Sequence, residues 1–506
     1  MSEILYHREG LLGPRIELHI APEGLTLVGR GGAGSAEFAP LADVAGVSAA
    51  PMGRKATVTI SFGSARSAWV IRGMHPSVAE WVERLVTEEQ SAVAKLASPQ
   101  HNRRLSVDEI TRTCSEIVAD ADGRAAVDLA DLILAQAVLH GASDVHFDPF
   151  SERVVVRFRQ DGVLQDVVTL DGGVKQRLTS RLKVVSHLAT FKNAVAQEGR
   201  AALKIGGRTV DFRFSSIPTI HGEKVTARVF DPARSIFDVG KLGMTAEMLS
   251  LFVSMLMQPQ GTILLTGPAG SGKTTTMYAA LSYLHEHKRN LSSLATVEDP
   301  VEYDLQVVNQ TQVNNASGLT FANALRTVLR QDPEVIMIGE IRDRETADIA
   351  TQAGLTGHMV LSTVHARSAA GVLLRLVDLG VEPFLVASSV TAVLSQRLVR
   401  AVCANCAREY APSGEESGRF RLKGGERLQM GAGCEQCNNT GYVGRTGIFQ
   451  LAPISDTMRE MLLRRSSLND LEGQLENEQT GTLLADGTLK AAAGVTSLEE
   501  LSRVLG

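Results

Sequence analysis

Six residue types in a fixed order, Gly267-Pro-Ala-Gly-Ser-Gly272-Lys273-Thr274, form the strongest chemical signal in the chain. The spacing is G-x-x-x-x-G-K-T. It follows the apolar strand candidate Ile263–Leu265 and opens a helix predicted over Thr275–Leu284. Glycine lets backbone N–H groups come close to phosphate oxygens, and a helix N-terminus adds a favourable dipole. The loop Gly267, Pro268, Ala269, Gly270, Ser271, Gly272, Lys273, Thr274 and Thr275 is therefore predicted to cradle the phosphates of ATP. Lys273 reaches the β- and γ-phosphates and Thr274 ligates Mg2+.

Three further segments carry carboxylates or imidazoles. LRQDPEVIMIGEIRD contains a buried-type strand, Val335–Ile338, which delivers Gly339 and Glu340 to its carboxyl end, where α/β sheets bind ligands. A carboxylate there holds Mg2+ or its water. ATVEDPVEY places Glu298, Asp299 and Glu302 together, a cluster able to polarise an attacking water near a phosphate site. TGHMVLSTVHA brackets the strand Met359–Leu361 with His358 and His365; their separation does not suit a zinc pair, and one can sense a γ-phosphate.

Cysteine usage gives a second site. Cys403-Ala-Asn-Cys406 and Cys434-Glu-Gln-Cys437 are two tight knuckles, each supplying two thiolates to a tetrahedral four-sulfur zinc site. All four ligands come from protein, so the zinc is predicted to be structural. A redox-active pair needs a thioredoxin-like context, which is missing. Arg408, Arg419, Arg421, Lys423 and Arg427 are offset by Glu409, Glu415, Glu416 and Glu426, so the insert is not a basic nucleic-acid ribbon. Cys114 stands alone in a predicted helix and reads as inert.

These sites need a scaffold. The 506 residues suggest several domains. Hydrophobic content of 44% and charged content of 21% are those of a globular protein, and a net charge of −5 gives no global attraction to nucleic acid or anionic lipid. No apolar run has the length of a membrane span, and the start MSEILYHREG lacks the features of a secretory signal. A cytoplasmic chain held at the membrane by a partner is expected.

Residues 1–90 alternate apolar and polar residues at Ile16–Ile20 and Val58–Phe62, and a helix is predicted after Pro76. The pattern suggests a pleckstrin-homology-like adaptor. Residues 91–125 read as a linker with a short helix, and 126–234 as a small α+β domain with an Asp161-Gly162 hairpin turn. Residues 235–398 alternate short strands and helices as a parallel α/β sheet. A zinc insert (399–442) and a C-terminal helical region (443–506) follow. The fold class is α/β: a RecA-like P-loop ATPase core preceded by a small α+β domain, with a zinc insert, C-terminal helices and a β-rich N-terminal domain.

The order GPAGSGKT, VEDPVEY, LRQDPE…GEIRD, TGHMVLSTVH resembles the type II secretion and type IV pilus assembly ATPase family, hexameric motors whose nucleotide motifs run in this sequence. The resemblance covers about residues 125–506 and includes GASDVHFDPF, VRFRQDGVL, both C-x-x-C pairs, TGYVGRTGIFQ and ADGTLKAAAGVTSLEEL. It implies Glu302 as general base, and Glu340 as the Walker-B carboxylate with Gly339 in place of the usual aspartate. His358 and His365 match its histidine box, and Arg326 and Arg330 its arginine-bearing helix. Arg213 and Arg228 match arginines brought to the nucleotide by the preceding domain.

As partners the resemblance implies a homo-hexamer, a polytopic inner-membrane platform protein and the cytoplasmic domain of a membrane recruitment protein; no nucleic acid is expected. FKNAVAQEGR departs from the family's basic, proline-containing stretch at Asn193 and Ala196 but keeps Arg200. No pattern for cyclic di-GMP binding is present. The alternatives are a pilus retraction motor, a nucleic-acid translocase on the same core and a nucleotide binder without turnover. The cysteine pairs weigh against the first, the acidic balance against the second, and Glu302 and Glu340 against the third.

Overall fold

The computed structural model describes residues 103–119, 124–234, 237–288, 293–422 and 425–506, together with the backbone of seven strands before residue 103. Two compact units are present: residues 1–105, 117–140 and 202–210 form one, and residues 106–116, 141–201 and 211–506 the other.

In the first unit, β1 (Glu3–His7), β2 (Arg15–Ala21), β3 (Gly24–Arg30) and β4 (Ala36–Pro40) form an antiparallel sheet in sequence order. β5 (Val44–Met52), β6 (Lys55–Phe62) and β7 (Trp69–Met74) form a second. The helix expected after Pro76 lies outside the described residues. The linker holds α1 (Val107–Ala119), and α2 (Ala125–His140) follows. Cys114 on α1 is fully buried, and burial pushes its thiol up to about 12, as expected of an inert cysteine.

The α+β part contains β8 (Asp144–Pro149), β9 (Arg153–Gln160), β10 (Val163–Asp171), α3 (Lys175–Val185), β11 (Gln197–Ile205), β12 (Arg208–Thr219) and β13 (Gly222–Phe230). Its sheet order is β10-β9-β8-β13-β12-β11. Asp161 and Gly162 both have positive φ, 49° and 84°, the conformation a two-residue β9–β10 hairpin requires.

α4 (Ala246–Leu256) leads into the core sheet. Along the chain come β14 (Gly261–Thr266), α5 (Lys273–His287), β15 (Leu294–Glu298), β16 (Asn309–Gln312), α6 (Phe321–Val328), β17 (Val335–Ile338), α7 (Arg344–Leu355), β18 (Met359–Thr363), α8 (Ala369–Asp378), α9 (Pro383–Ser389) and β19 (Val390–Val402). β20 (Ala407–Tyr410), α10 (Gly414–Arg419) and β21 (Leu428–Gly431) lie in the cysteine insert. β22 (Tyr442–Pro453), α11 (Asp456–Leu463), α12 (Leu468–Asn477), α13 (Leu483–Ala492) and α14 (Leu498–Leu505) end the chain.

The seven-stranded order is β16-β15-β17-β18-β14-β19-β22, parallel except for β22. Every residue of β14, β15, β17 and β18 is buried, which is why these strands read as continuous apolar runs. Alternate residues still serve different layers. Leu264, Ile336 and Ile338 pack with Ala347, Leu373 and Leu376, whereas Ile263, Leu265 and Met337 pack with Phe252, Tyr278 and Leu281.

The C-terminal region differs from its expected helical character. Twelve-residue β22 pairs antiparallel with β19 before the helices begin. The cysteine insert is thus a protrusion between two paired strands, and residue 398 falls inside β19. Alternating apolar residues in YVGRTGIFQLAP are few, so the strand lacked a period-two signal.

Candidate nucleotide site

Parallel pairing gathers the motifs at one edge. β14 lies between β18 and β19, and the carboxyl end of β17 lies beside those of β15 and β18. The turns continue this contact: Gly339 N donates to Val297 O at 2.8 Å, Val364 N to Leu265 O at 3.0 Å, and Thr363 Oγ1 to Gly339 O at 2.9 Å. Residues 267–274, 298–302, 339–340 and 363–365 therefore leave the sheet on the same side, the side where open α/β sheets hold ligands.

The loop from Gly267 to Thr274 has a backbone that only glycine accommodates. Gly270 and Gly272 have φ of 73° and 88°, and Gly272 caps the N-terminus of α5. A Cβ on Gly267 would lie 2.5 Å from the Gln396 carbonyl oxygen and 2.6 Å from Ser271 Oγ. Lys273 Nζ donates to the carbonyls of Gly267 (2.8 Å) and Pro268 (3.0 Å), folding its ammonium across the loop. Burial lowers the Lys273 pKa; the Glu340 carboxylate acts against that, and Arg397 adds to it. Ser271 Oγ is buried without a hydrogen-bond partner. A buried hydroxyl, helix-end amides and an ammonium make a donor set suited to a polyphosphate.

The three acidic residues at and after the end of β15 have separate environments. Glu298 is 3% exposed. Thr296 Oγ1 (2.6 Å), Gln310 Nε2 (2.9 Å) and the Tyr278 hydroxyl all donate to it. Its oxygens are committed to the fold, so the expected three-carboxylate cluster reduces to Asp299 and Glu302 on the exposed side. Glu302 keeps about a third of its side chain exposed, with Arg213 Nη1 3.8 Å from Oε2. Arg213 Nη2 donates to Val301 O at 2.8 Å, and its guanidinium lies over the Phe230 ring, 4.4 Å from the centroid. Burial raises the Glu302 pKa; Arg213 and Arg228 oppose this, Glu298 reinforces it and Arg200 opposes it.

Arg213 and Arg228 are directly paired across β12 and β13. Arg228 is tied to Asp144, Nε to Oδ1 at 3.0 Å. Asn193 accepts from Lys183 Nζ at 3.3 Å within the α+β part.

Glu340 sits where β17 ends. Arg342 Nη2 lies 2.5 Å from its Oε1, and His365 Nε2 3.5 Å from its Oε2. The two histidines of the third segment are separated by the strand between them. His358 is at the amino end of β18, where its carbonyl accepts from Gly261 N at 3.1 Å and its Nδ1 lies 3.2 Å from Ala353 O. The structure thus brings His365, and not His358, to the phosphate side of the same chain. Arg326 and Arg330 are exposed, on and just after α6, with Arg326 Nη2 2.5 Å from Glu345 Oε1.

The four cysteines converge as their spacing predicts. Their sulfurs lie within 4.8 Å of one another: Cys403–Cys434 3.8 Å, Cys406–Cys437 3.8 Å and Cys434–Cys437 3.7 Å. Those separations exceed a disulfide bond of about 2.05 Å. They match the edge of a tetrahedron with zinc–sulfur bonds of about 2.3 Å, about 3.8 Å. Cys434 N and Gly441 N each donate to Cys437 Sγ at 3.2 Å. Bonds from the Asn405 amide and the Cys437 backbone hold Cys434 down to about 6, while burial pushes Cys406 up to about 11. The spacing of the four sulfurs fits a structural zinc.

Two supporting residues carry no motif signal. Tyr278, on α5, donates to Glu298 and accepts from Glu302 N at 3.3 Å. Gln396, on β19, reaches the phosphate loop. A buried tyrosine or glutamine in an apolar run is a signal for a hydrogen-bond partner, but it does not name one.

A glycine cradle after a parallel strand, a lysine folded over it and a carboxylate at the end of β17, one strand beyond β18, are the arrangement of a P-loop ATP hydrolase. The family model for "Type II/IV secretion system protein" matches residues 119–503, and the chain belongs to that family. It is 43% identical over 391 residues to the type II secretion system ATPase E of Vibrio cholerae serotype O1, covering 77% of each chain. It is 45% identical over 403 residues to the type II secretion system protein E of Aeromonas hydrophila, covering 77% of this chain and 78% of that one. In fold it resembles the ATPase DotB of Legionella pneumophila, with a TM-score of 0.55 at 18% identity over 74% of this chain and 94% of that one.

Proposed function

We propose that this chain is the motor ATPase of a type II secretion or type IV pilus assembly system, coupling ATP hydrolysis to addition of pilin-like subunits through an inner-membrane platform protein. The observation that carries the reading is Arg213. It comes from the α+β part and ends on the loop that presents Glu302, which leaves the sheet on the same side as the glycine loop. Hydrolysis chemistry and movement of that part are therefore tied to one side chain. The printed names of the relatives, type II secretion system ATPase E and protein E, support the secretion assignment.

In this reading the backbone of Gly267–Gly272 and Lys273 bind the β- and γ-phosphates. Thr274 and Glu340 would hold Mg2+, which would supply positive charge to the phosphate oxygens. Glu302 takes a proton from the attacking water as its oxygen bonds to the γ-phosphorus. The bond to the β–γ bridging oxygen breaks, leaving ADP and phosphate. Arg213 and Arg228 stabilise the charge that develops, and His365 orients Glu340. Exposed Arg326 and Arg330 serve an adjacent subunit of a hexamer, as does His358. The four cysteines hold zinc and fix the insert. Among the described residues no helix is long and apolar enough to cross a membrane. Residues 1–90 are assigned to docking on the cytoplasmic domain of a membrane recruitment protein, which places the motor at the cytoplasmic face of the inner membrane.

The test is complementation in the source cell. Deletion of the gene should abolish assembly of a surface or periplasmic fibre of pilin-like subunits, and the wild-type chain, but not Lys273→Ala, should restore it. Normal fibre assembly and protein export in the deletion strain would reject the assignment.

A further inference from the structure

Gln396 is 1% exposed, in the middle of β19. Its Nε2 donates to Ser271 O at 2.7 Å, and its Oε1 accepts from Thr276 Oγ1 at 3.0 Å. These partners stand on either side of Lys273 and Thr274. Its backbone also closes on the loop, since the Gln396 carbonyl oxygen is what a Cβ on Gly267 would strike first. One residue from a separate strand thus contacts the loop at its entry and staples its exit to the first turn of α5.

We infer that Gln396 is a positioning residue for the phosphate cradle, setting its preformed shape without touching nucleotide. The inference rests on the nucleotide reading of Gly267–Thr274. A loop that must aim several amides at phosphates loses affinity when its conformations multiply, because ordering it is then charged to binding. Ser271 O is the carbonyl immediately before the Gly272 cap. Gln396 occupies one of its lone pairs and fixes that peptide plane, and hence the direction of the Gly272 N–H. Thr276 anchors the first helical turn to the same amide. A primary amide is needed, because the two bonds require a donor and an acceptor on one planar group.

The position of β19 extends the consequence. Beyond Gln396 the strand passes Arg400, which the fully buried Glu500 holds through bonds of 2.7–3.0 Å. It ends at Val402, next to Cys403. The staple is thus mounted on a strand anchored at its far end by an ion pair and the cysteine centre.

The test is equilibrium binding of a fluorescent ATP analogue with Mg2+ to the purified full chain, for wild type, Gln396→Met, Thr276→Val and the double variant. Methionine conserves volume and removes both bonds. Freeing the loop from both bonds charges its re-ordering to binding, which predicts roughly several-fold to tenfold weakening. Gln396→Met should raise KM for ATP more than it lowers kcat, and it should also lower the melting midpoint of nucleotide-free protein, because both bonds are present before nucleotide binds. The double variant should bind no more weakly than Gln396→Met, because Thr276 acts through the same amide. Wild-type affinity in Gln396→Met, or additive losses in the double variant, would overturn the inference. Should Gln396→Met not fold, Thr276→Val decides: several-fold weaker binding supports the staple and unchanged binding refutes it. Failure of the wild-type chain to bind would remove the nucleotide reading itself, a result distinct from unaltered binding by the variants.

Discussion

Arg213 donates to the Val301 carbonyl through Nη2 and places Nη1 3.8 Å from the Glu302 carboxylate. The guanidinium is fixed from behind by the Phe230 ring, so its position depends on packing within the α+β part as well as on charge. The carboxylate proposed to take a proton is thereby under the electrostatic control of a side chain from outside the parallel sheet.

That control sets a pH dependence. Burial raises the Glu302 pKa, with Arg213 the first of the groups opposing the rise. A general base works only when deprotonated, so kcat should increase as pH rises through this pKa. Arg213→Gln removes an opposing charge, and the acidic limb of the kcat profile should move to higher pH. A phosphate-release profile with the wild-type limb in place would exclude electrostatic coupling between the two residues.

Glu302→Gln keeps the size of the side chain and removes the proposed base. It should lower kcat by about 10²-fold or more while the chain still binds ATP. Comparable turnover in the variant would assign proton acceptance elsewhere.

The four-cysteine centre should hold one zinc per chain, measurable by elemental analysis of purified protein. Cys434→Ser should lose the metal and lower the melting midpoint, because metal binding free energy is also folding free energy. A metal-free wild-type chain with the same midpoint as the loaded one would contradict a structural role.

Glu500 makes a different stability prediction. It is fully buried and accepts from Arg400 and Arg503. Burial alone would push its pKa up, but the bonds from Arg503 and Arg400 prevail and hold it below the ordinary glutamate value. Its contribution is present above the unfolded-state pKa and is lost as pH falls through the lower folded-state value. Glu500→Gln leaves two guanidinium groups without their anion and should cost about 3 kcal/mol. The variant's melting midpoint should fall at neutral pH, and its acid sensitivity below the ordinary glutamate range should shrink. An unchanged midpoint would show that the pair contributes little.

The glycine loop and the cysteine pairs were legible in sequence because each motif is local. Their spacing specifies a strand-to-helix turn or a knuckle whatever surrounds them. The buried strands Ile263–Leu265, Val335–Ile338 and Met359–Leu361 were legible as short apolar runs between turn residues. Glu298 and Glu302 were not separable, since only the positions of Tyr278, Thr296 and Gln310 show which carboxylate is committed to the fold. His358 and His365 look equivalent in TGHMVLSTVHA, yet a buried strand between them sends them to opposite edges. Gln396 was invisible for a similar reason: its partners are about 120 residues away, and no local spacing reports them. β22 was missed because its pairing with β19, rather than its own pattern, makes it a strand.

The central claim is that ATP is split in the cradle around Lys273 with Glu340 as metal-side carboxylate. Its most direct measurement is phosphate release from Mg-ATP by the purified, assembled chain beside Lys273→Ala and Glu340→Gln. Steady turnover by the wild type, with loss of about 10²-fold or more in each variant, is the predicted result. Equal turnover in all three proteins, or none in the wild type despite assembly, would contradict it.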